Sequence, residues 1–141
     1  MNTRLVAIAL MLVVVAVGWA ASCVIYRAAE IGELVAPIEA RRWDRLTLVV
    51  AGSGSGYENP ERLGPTLAVG AGARALLVDA GRGAAESLRR SRIPVTQPDT
   101  LLLTNLLPLN TLGLDDLIYT GWLQERATPL RVIGPVGTAR L

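Results

Sequence analysis

The sequence contains no His, no Lys and no Phe. Imidazole is the commonest metal ligand and the usual proton shuttle near neutral pH. Its absence removes His-ligated metal sites and every catalytic triad built on His. Ser53, Ser55 and Ser87 therefore have no imidazole base to activate them. The single Cys, Cys23, excludes an intrachain disulfide and any multi-Cys zinc site. Without Lys there is no Gly-Lys pair, and so no P-loop. The basic residues are all Arg, 14 against 12 acids, for a net charge of +2. A phosphate-tracking surface needs a concentrated basic patch, so no nucleic-acid partner is expected.

What is present begins with a long apolar run. Leu5 to Tyr26 carries no charge, with Arg4 before it and Arg27 after it. At about 1.5 Å per residue such a run reaches roughly 33 Å as a helix, close to the hydrocarbon thickness of a bilayer. A core helix of a soluble protein rarely stays apolar on every face for so long. The favoured reading is an uncleaved signal anchor over residues 1–27, because the run exceeds the usual apolar region of a cleaved peptide. Two other readings stay open. Ala20-Ala21-Ser22-Cys23 resembles a lipobox, with Ala20 where Leu is usual, which would make Cys23 the lipidated residue. Ordinary cleavage after Ala21 or Ser22 is the third. Each sends the following chain across a membrane. With the amino terminus and Arg4 held inside, the expected product is a single-pass protein whose carboxy-terminal domain is exported, on the periplasmic side in a bacterium.

Residues 28–45 read as a juxtamembrane linker, and Arg41, Arg42 and Arg45 would be drawn to anionic head groups. From Leu46 the texture changes. Leu46–Ala51 is a short β-branched strand that runs into Gly52-Ser53-Gly54-Ser55-Gly56. Asn59-Pro60 signals a turn, and residues 66–79 read as a hairpin. Ala84–Arg92 is helical, Thr100–Thr104 a strand, Leu114–Arg126 a helix and Arg131–Ile133 a strand, and a further helix starts near the end. A hairpin cluster followed by alternating helices and strands predicts an α/β (α+β) domain with a mixed sheet over residues 46–141.

The chemical candidates are few. The 52–56 loop follows a strand, as a dinucleotide-binding loop does, but Tyr57 stands where the third glycine is required and no helix follows. Asp115 and Asp116 fall in the first turn of a helix, where the helix dipole favours carboxylates. Asp79 precedes Gly81 at a strand end and reads as a turn-forming Asp.

Four segments in order resemble one family: Leu-Thr-Leu-Val-Val-Ala-Gly-Ser-Gly-Ser (46–55), Asn-Pro-Glu-Arg-Leu-Gly-Pro-Thr-Leu-Ala-Val (59–69), Leu-Leu-Val-Asp-Ala-Gly-Arg-Gly-Ala (76–84) and Thr-Gly-Trp-Leu-Gln-Glu-Arg-Ala-Thr-Pro-Leu-Arg-Val-Ile-Gly-Pro-Val-Gly-Thr (120–138). Together they are similar to the amino-terminal half of metallo-β-lactamase-fold hydrolases, in the ribonuclease Z-like branch. The resemblance implies an αβ/βα sandwich, of which this chain would supply the first half, and metal-dependent hydrolysis of phosphodiesters or esters with one or two zinc ions. It also implies a His-x-His-x-Asp-His signature between a strand ending in Thr and a Gly-Leu-Asp-Asp-like helix start. Here that slot reads Asn105-Leu106-Leu107-Pro108-Leu109-Asn110, flanked by Thr104 and by Gly113-Leu114-Asp115-Asp116.

Asn105, Leu107 and Asn110 thus stand at the three His positions and Leu109 at the Asp position. Zinc takes imidazole, carboxylate or thiolate donors at about 2.0–2.3 Å, which this set lacks. The expectation is a chain with neither metal nor catalysis. Ser53, Arg62, Asp79, Gly134 and Gly137 are what the resemblance leaves as scaffold around the mouth of the active site. An exported relative with a working site would act on a small ester or phosphodiester. The alternative function is a membrane-anchored, non-catalytic module that binds a protein partner or itself, since half a two-sheet sandwich leaves a sheet face or edge uncovered.

Overall fold

The computed structural model describes residues 3–57, 59 and 61–141, with the side chains of residues 3–5 and 33–35 left aside. Arg4 as a flanking charge, and Pro60 of the Asn59-Pro60 turn, lie outside what is described. The chain divides into two compact units, residues 1–37 and 38–141.

The first unit is one helix, α1 (Thr3–Val35). Its Val6–Gly32 stretch has a mean hydropathy of 2.6, is exposed throughout, and is long and apolar enough to cross a membrane. The helix continues past Arg27 because Ala28, Ala29, Glu30 and Ile31 contain no breaker. Pro37 then disfavours helical backbone at Ala36. The linker read over residues 28–45 is therefore shorter here, residues 36–42, with helix before it and sheet after it.

The second unit is a five-stranded sheet with helices on one face. Its strands are β1 (Trp43–Gly52), β2 (Thr66–Gly72), β3 (Arg74–Val78), β4 (Pro98–Leu102) and β5 (Arg131–Ile133), in the spatial order β1-β2-β3-β4-β5. The first three pair antiparallel, and β4 and β5 add in parallel. β2 and β3 form the expected hairpin, turning through Gly72 at φ +59. Parallel neighbours need a crossover connection. The helix α2 (Ala84–Arg90) supplies one between β3 and β4; the short α3 (Pro108–Thr111) and α4 (Leu114–Leu123) lie in the other.

Register fixes which residues share a face, because side chains alternate along a strand and directly paired residues point the same way. The row Val49–Ala68–Leu77–Leu101–Val132 faces the helices. It packs in one core cluster with Leu88 of α2, Ile93, and Leu117 of α4. Leu77, Leu88, Ile93, Leu101 and Leu117 are fully buried, each contributing about 1.5–3 kcal/mol of transfer free energy. The rows of opposite parity are Leu48–Val69–Leu76–Thr100–Arg131 and Val50–Leu67–Val78–Leu102–Ile133. They face away from the helices, and at β1 they are bare: Leu48 is 61% exposed and Val50 59%.

Several boundaries differ from the sequence reading, each for a local reason. β1 starts at Trp43 rather than Leu46, because the Trp43 ring lies flat on Gly70, where a Cβ would come within 2.3 Å of it. Arg41 sits with its guanidinium 5.8 Å from the same ring centroid, and its backbone exchanges two hydrogen bonds with the Gln97 side chain. β4 runs over Pro98–Leu102, not Thr100–Thr104, since Thr104 is drawn off to the Asp79 carboxylate. α2 stops at Arg90, followed by Arg92 at φ +56, and α4 stops at Leu123, followed by Glu125 at φ +55. α3 was not foreseen; Pro108 suits a helix start because its missing N–H has no partner to lose there. A 3₁₀ turn, Thr138–Arg140, lies where a further helix was expected to start.

Candidate functional site

The row Val50–Leu67–Val78–Leu102–Ile133 is the last across all five strands, with only the Gly52–Thr66 pair of β1 and β2 beyond it. The loops after β1, β3, β4 and β5, and the loop entering β2, consequently lie along one edge of the sheet. That edge holds residues 52–57, 61–65, 79–83, 103–113 and 134–138.

Glycines set the spacing of these loops. A Cβ on Gly52 would lie 2.0 Å from the Gly64 carbonyl oxygen, and one on Gly64 2.4 Å from the Arg82 nitrogen. On Gly113 it would lie 2.1 Å from the Gly81 oxygen. Loop backbones thus pack against one another at distances that no side chain permits. Hydrogen bonds lock them: Gly54 N–H to Leu63 O at 2.7 Å, Gly64 N–H to Arg82 O at 2.9 Å, Gly81 N–H to Pro65 O at 2.9 Å and Gly113 N–H to Ala80 O at 2.8 Å.

Asp79 is the centre of this edge. It is buried, 9% exposed, and holds the left-handed conformation at φ +60, one Asp tolerates better than most residues. Its backbone N–H donates to Leu102 O at 2.8 Å. Its carboxylate accepts the Thr104 N–H at 2.8 Å and the Thr104 hydroxyl at 2.8 and 3.0 Å. Thr104 Oγ1 in turn accepts from the Asn110 side-chain amide at 3.0 Å and from that of Asn105 at 3.3 Å. The Asn105 carbonyl oxygen is held by the Leu107 N–H at 2.9 Å. Asp79, Thr104, Asn105 and Asn110 form one hydrogen-bonded cluster.

The other residues singled out from the sequence sit around it. Leu107 and Leu109 point outward, 62% and 37% exposed. Ser53 and Arg62 are exposed on the neighbouring pair of loops. A Cβ on Gly134 would meet Thr138 Oγ1 at 2.5 Å and Leu103 Cβ at 3.0 Å. Gly137, at φ +108, sits beside Leu106, so the 134–138 loop lies against the 103–106 segment. Cys23 is exposed on α1, in the first unit. Asp116 does more than suit its own helix dipole. Its Oδ2 accepts the Ala85 N–H at 3.2 Å, capping α2, whose first turn has no cap of its own because Gly83 precedes it. Thr104 was missed as the hub; a Thr at a strand end followed by two Asn within six residues was the available signal.

The donors do not fit zinc. Two Asn amides already turned toward a hydroxyl and two outward Leu side chains offer no imidazole, thiolate or carboxylate lone pair. Asp79 is a single carboxylate, already engaged by Thr104. Among the described residues no three His, Cys, Asp or Glu groups gather closely enough to hold a metal ion.

No family model matches the chain. Ribonuclease Z of Mycobacterium bovis (strain BCG / Pasteur 1173P2) is 36% identical over 99 residues, which are 68% of this chain and 35% of that protein. Ribonuclease Z of Mycobacterium marinum is 35% identical over 97 residues, 67% of this chain and 35% of that protein. This chain is a metallo-β-lactamase-fold homologue of ribonuclease Z. The crystal structure of the short form of human tRNase Z superposes with a TM-score of 0.60 at 26% identity, over 66% of this chain and 35% of that one. The metallo-β-lactamase-fold protein YhfI of Bacillus subtilis gives a TM-score of 0.58 at 17% identity, over 67% and 38%. The ribonuclease Z homologue thus spans about a third of the length of the relatives it matches. The ribonuclease Z family is metal-dependent.

Proposed function

We propose that this chain is a membrane-anchored, catalytically silent member of the ribonuclease Z-like hydrolases. The observation that carries the reading is the Asn105–Thr104–Asn110 cluster, at the slot where the resemblance puts metal ligands. Zinc hydrolases obtain their nucleophile from a bound water whose pKa the metal lowers to about 7. Two amides donating to one hydroxyl provide a neutral, self-satisfied replacement that stabilises the loop without the ion. The exposed apolar stretch Val6–Gly32 supports the anchor. An exported carboxy-terminal unit accords with the amino terminus and Arg4 staying inside. The partner-binding alternative is compatible with silence and differs only in what the unit does instead.

Elemental analysis of the detergent-purified chain tests the reading, together with turnover of a bis-aryl phosphodiester in added zinc. The comparison is a variant with Asn105→His, Leu107→His, Leu109→Asp and Asn110→His. The expected result is no stoichiometric zinc and no turnover for the natural chain, and zinc uptake by the variant. One zinc ion per natural chain with zinc-dependent turnover would sink the reading. A carboxy-terminal reporter that folds only in an oxidising compartment tests export separately; a silent reporter places the domain on the other side.

A further inference from the structure

We propose that the end of the second unit opposite the loop edge docks on an anionic lipid surface, through a patch of Arg side chains that the fold assembles from separate segments. The inference rests on the membrane reading of α1 and adds a second, electrostatic contact with the bilayer. Gln97 is the knot. Its side chain accepts the Arg41 N–H at 2.9 Å and donates to the Arg41 carbonyl oxygen at 2.6 Å and to the Ala73 carbonyl oxygen at 3.2 Å. The Arg41 guanidinium, 5.8 Å from the Trp43 ring centroid, reaches the Ser91 carbonyl oxygen at 3.4 Å. The linker, the β2–β3 turn, the end of α2 and the entry to β4 therefore meet at one place.

The first three of these segments bring the charge. Arg41, Arg42 and Arg45 come from the linker and the start of β1, Arg74 from the turn, and Arg89, Arg90 and Arg92 from the end of α2. The acids around them are Glu39, Asp44, Glu86 and Asp99, so seven Arg stand against four carboxylates. Residues 38–141 hold twelve Arg and ten acids. The patch thus carries +3 and the rest of the unit −1. Asp99 pairs with Arg74 at 3.0 Å and Glu86 with Arg90 at 2.5 Å. Among the described residues Arg42, Arg45 and Arg92 make no ion pair, and all three are exposed. No one segment holds more than three of the seven, so the concentrated patch exists only in the fold.

Chain connectivity selects lipid as the occupant. Arg41 lies six residues after Val35, where α1 ends. A chain of that length reaches at most about 20 Å. With α1 in a bilayer, the Arg41 end of the patch stays within that distance of the head groups, whatever path the linker takes. Guanidinium groups take phosphate oxygens bidentately. A cluster of basic side chains beside a membrane helix is what the negative surface potential of anionic lipid attracts. The strands run from this end to the loop edge, so lipid held at the patch leaves Asp79 and Thr104 on the side away from it.

The test adds the full chain with Cys23→Ser, from detergent, to liposomes of phosphatidylcholine alone or with phosphatidylglycerol, both containing a lipid spin-labelled at its head group. A fluorophore is attached at Ala73→Cys, in the exposed turn of the patch, or at Ser55→Cys, exposed on the loop edge. Phosphatidylglycerol should raise quenching at residue 73 roughly threefold and leave residue 55 unchanged. Salt at roughly 1 M, which shortens screening to about 3 Å, should abolish the rise. Arg42→Gln, Arg45→Gln and Arg92→Gln together should also abolish it, with the near-UV circular dichroism unchanged. A chain that floats with both liposomes and is quenched equally in both overturns the patch and leaves the anchor standing. One that floats only with phosphatidylglycerol, and shows the rise, refutes the anchor and upholds the patch. One that floats with neither overturns both. An RNA hairpin that strips residue 73 from the anionic surface would reassign the patch to nucleic acid and overturn the proposal.

Discussion

The Asp79 carboxylate accepts both the backbone N–H and the hydroxyl of Thr104, tying the end of β3 to the segment that leaves β4. This clamp fixes the course of the loop that carries Asn105 and Asn110. Hydrogen bonds to an ionised acceptor contribute about 1.5–3 kcal/mol each, more than neutral ones.

Replacing Asp79 should show that contribution directly. Asp79→Ala removes the clamp and leaves a Cβ at φ +60. A loss of about 2–4 kcal/mol is expected. Asp79→Gly removes the same hydrogen bonds but relieves the left-handed backbone, and should recover about 1 kcal/mol of that loss. Thermal unfolding followed by near-UV circular dichroism ranks the two; equal losses would mean the backbone at residue 79 carries no strain.

The glycine contacts separate two classes of substitution. Gly52→Ala and Gly113→Ala place a methyl group within 2.0–2.1 Å of a carbonyl oxygen in a fixed neighbouring loop. Each should destabilise by roughly 3 kcal/mol, in the range of severe overpacking. Gly56→Ala meets nothing within 4 Å and should change stability by no more than about 0.5 kcal/mol. Chemical denaturation midpoints decide it.

Arg126 fastens the end of α4 to the segment entering β4. Its guanidinium donates to the carbonyl oxygens of Val95, of Pro98 at 2.6 Å and of Thr96 at 3.4 Å. Burial lowers its pKa from the ordinary arginine value. Arg126→Lys keeps the charge and loses the planar fork. A loss of about 1–2 kcal/mol is expected, with Arg126→Ala costing about 1 kcal/mol more. Amide hydrogen exchange across residues 95–98 should rise in both variants; unchanged exchange would refute the staple.

Asp99 gives a pH dependence of known sign. The Thr100 hydroxyl, then the Arg74 guanidinium at 3.0 Å, hold its carboxyl below the usual carboxylate value. A depressed carboxyl contributes stability above its unfolded pKa of about 3.9 and loses it as pH falls through the folded value. Thr100→Val should raise the Asp99 midpoint in an NMR titration and weaken the acid-side slope of stability. Both members of the ion pair are largely exposed, so the stability change should stay below about 1 kcal/mol.

Much of this arrangement was legible in the chain itself. The β-branched run at Leu46–Ala51 and the spacing of Leu114, Leu117 and Trp122 announce a strand and a helix through periodicity, a local property, whereas the turn read at Gly70-Ala71-Gly72 falls later, at Gly72-Ala73, because Gly70 and Ala71 still pair with β3. The ordered segments around residues 46–55 and 120–138 carried the family. That Leu107 and Leu109 offer no lone pair to zinc is side-chain chemistry, independent of the fold.

Tertiary structure decided the rest, because it depends on which distant residues meet. The reach of β1 back to Trp43 depends on a bare Gly70 across the sheet. The end of β4 before Thr104 depends on Asp79, 25 residues earlier in the chain. Thr104 became a hub only when Asn105 and Asn110 folded back on it through the short α3. Composition requires that an aliphatic chain bury much of its surface. Which face of the sheet the helices cover was settled by the register that aligns Val49 with Ala68, and by crossovers that put α2 and α4 over that row.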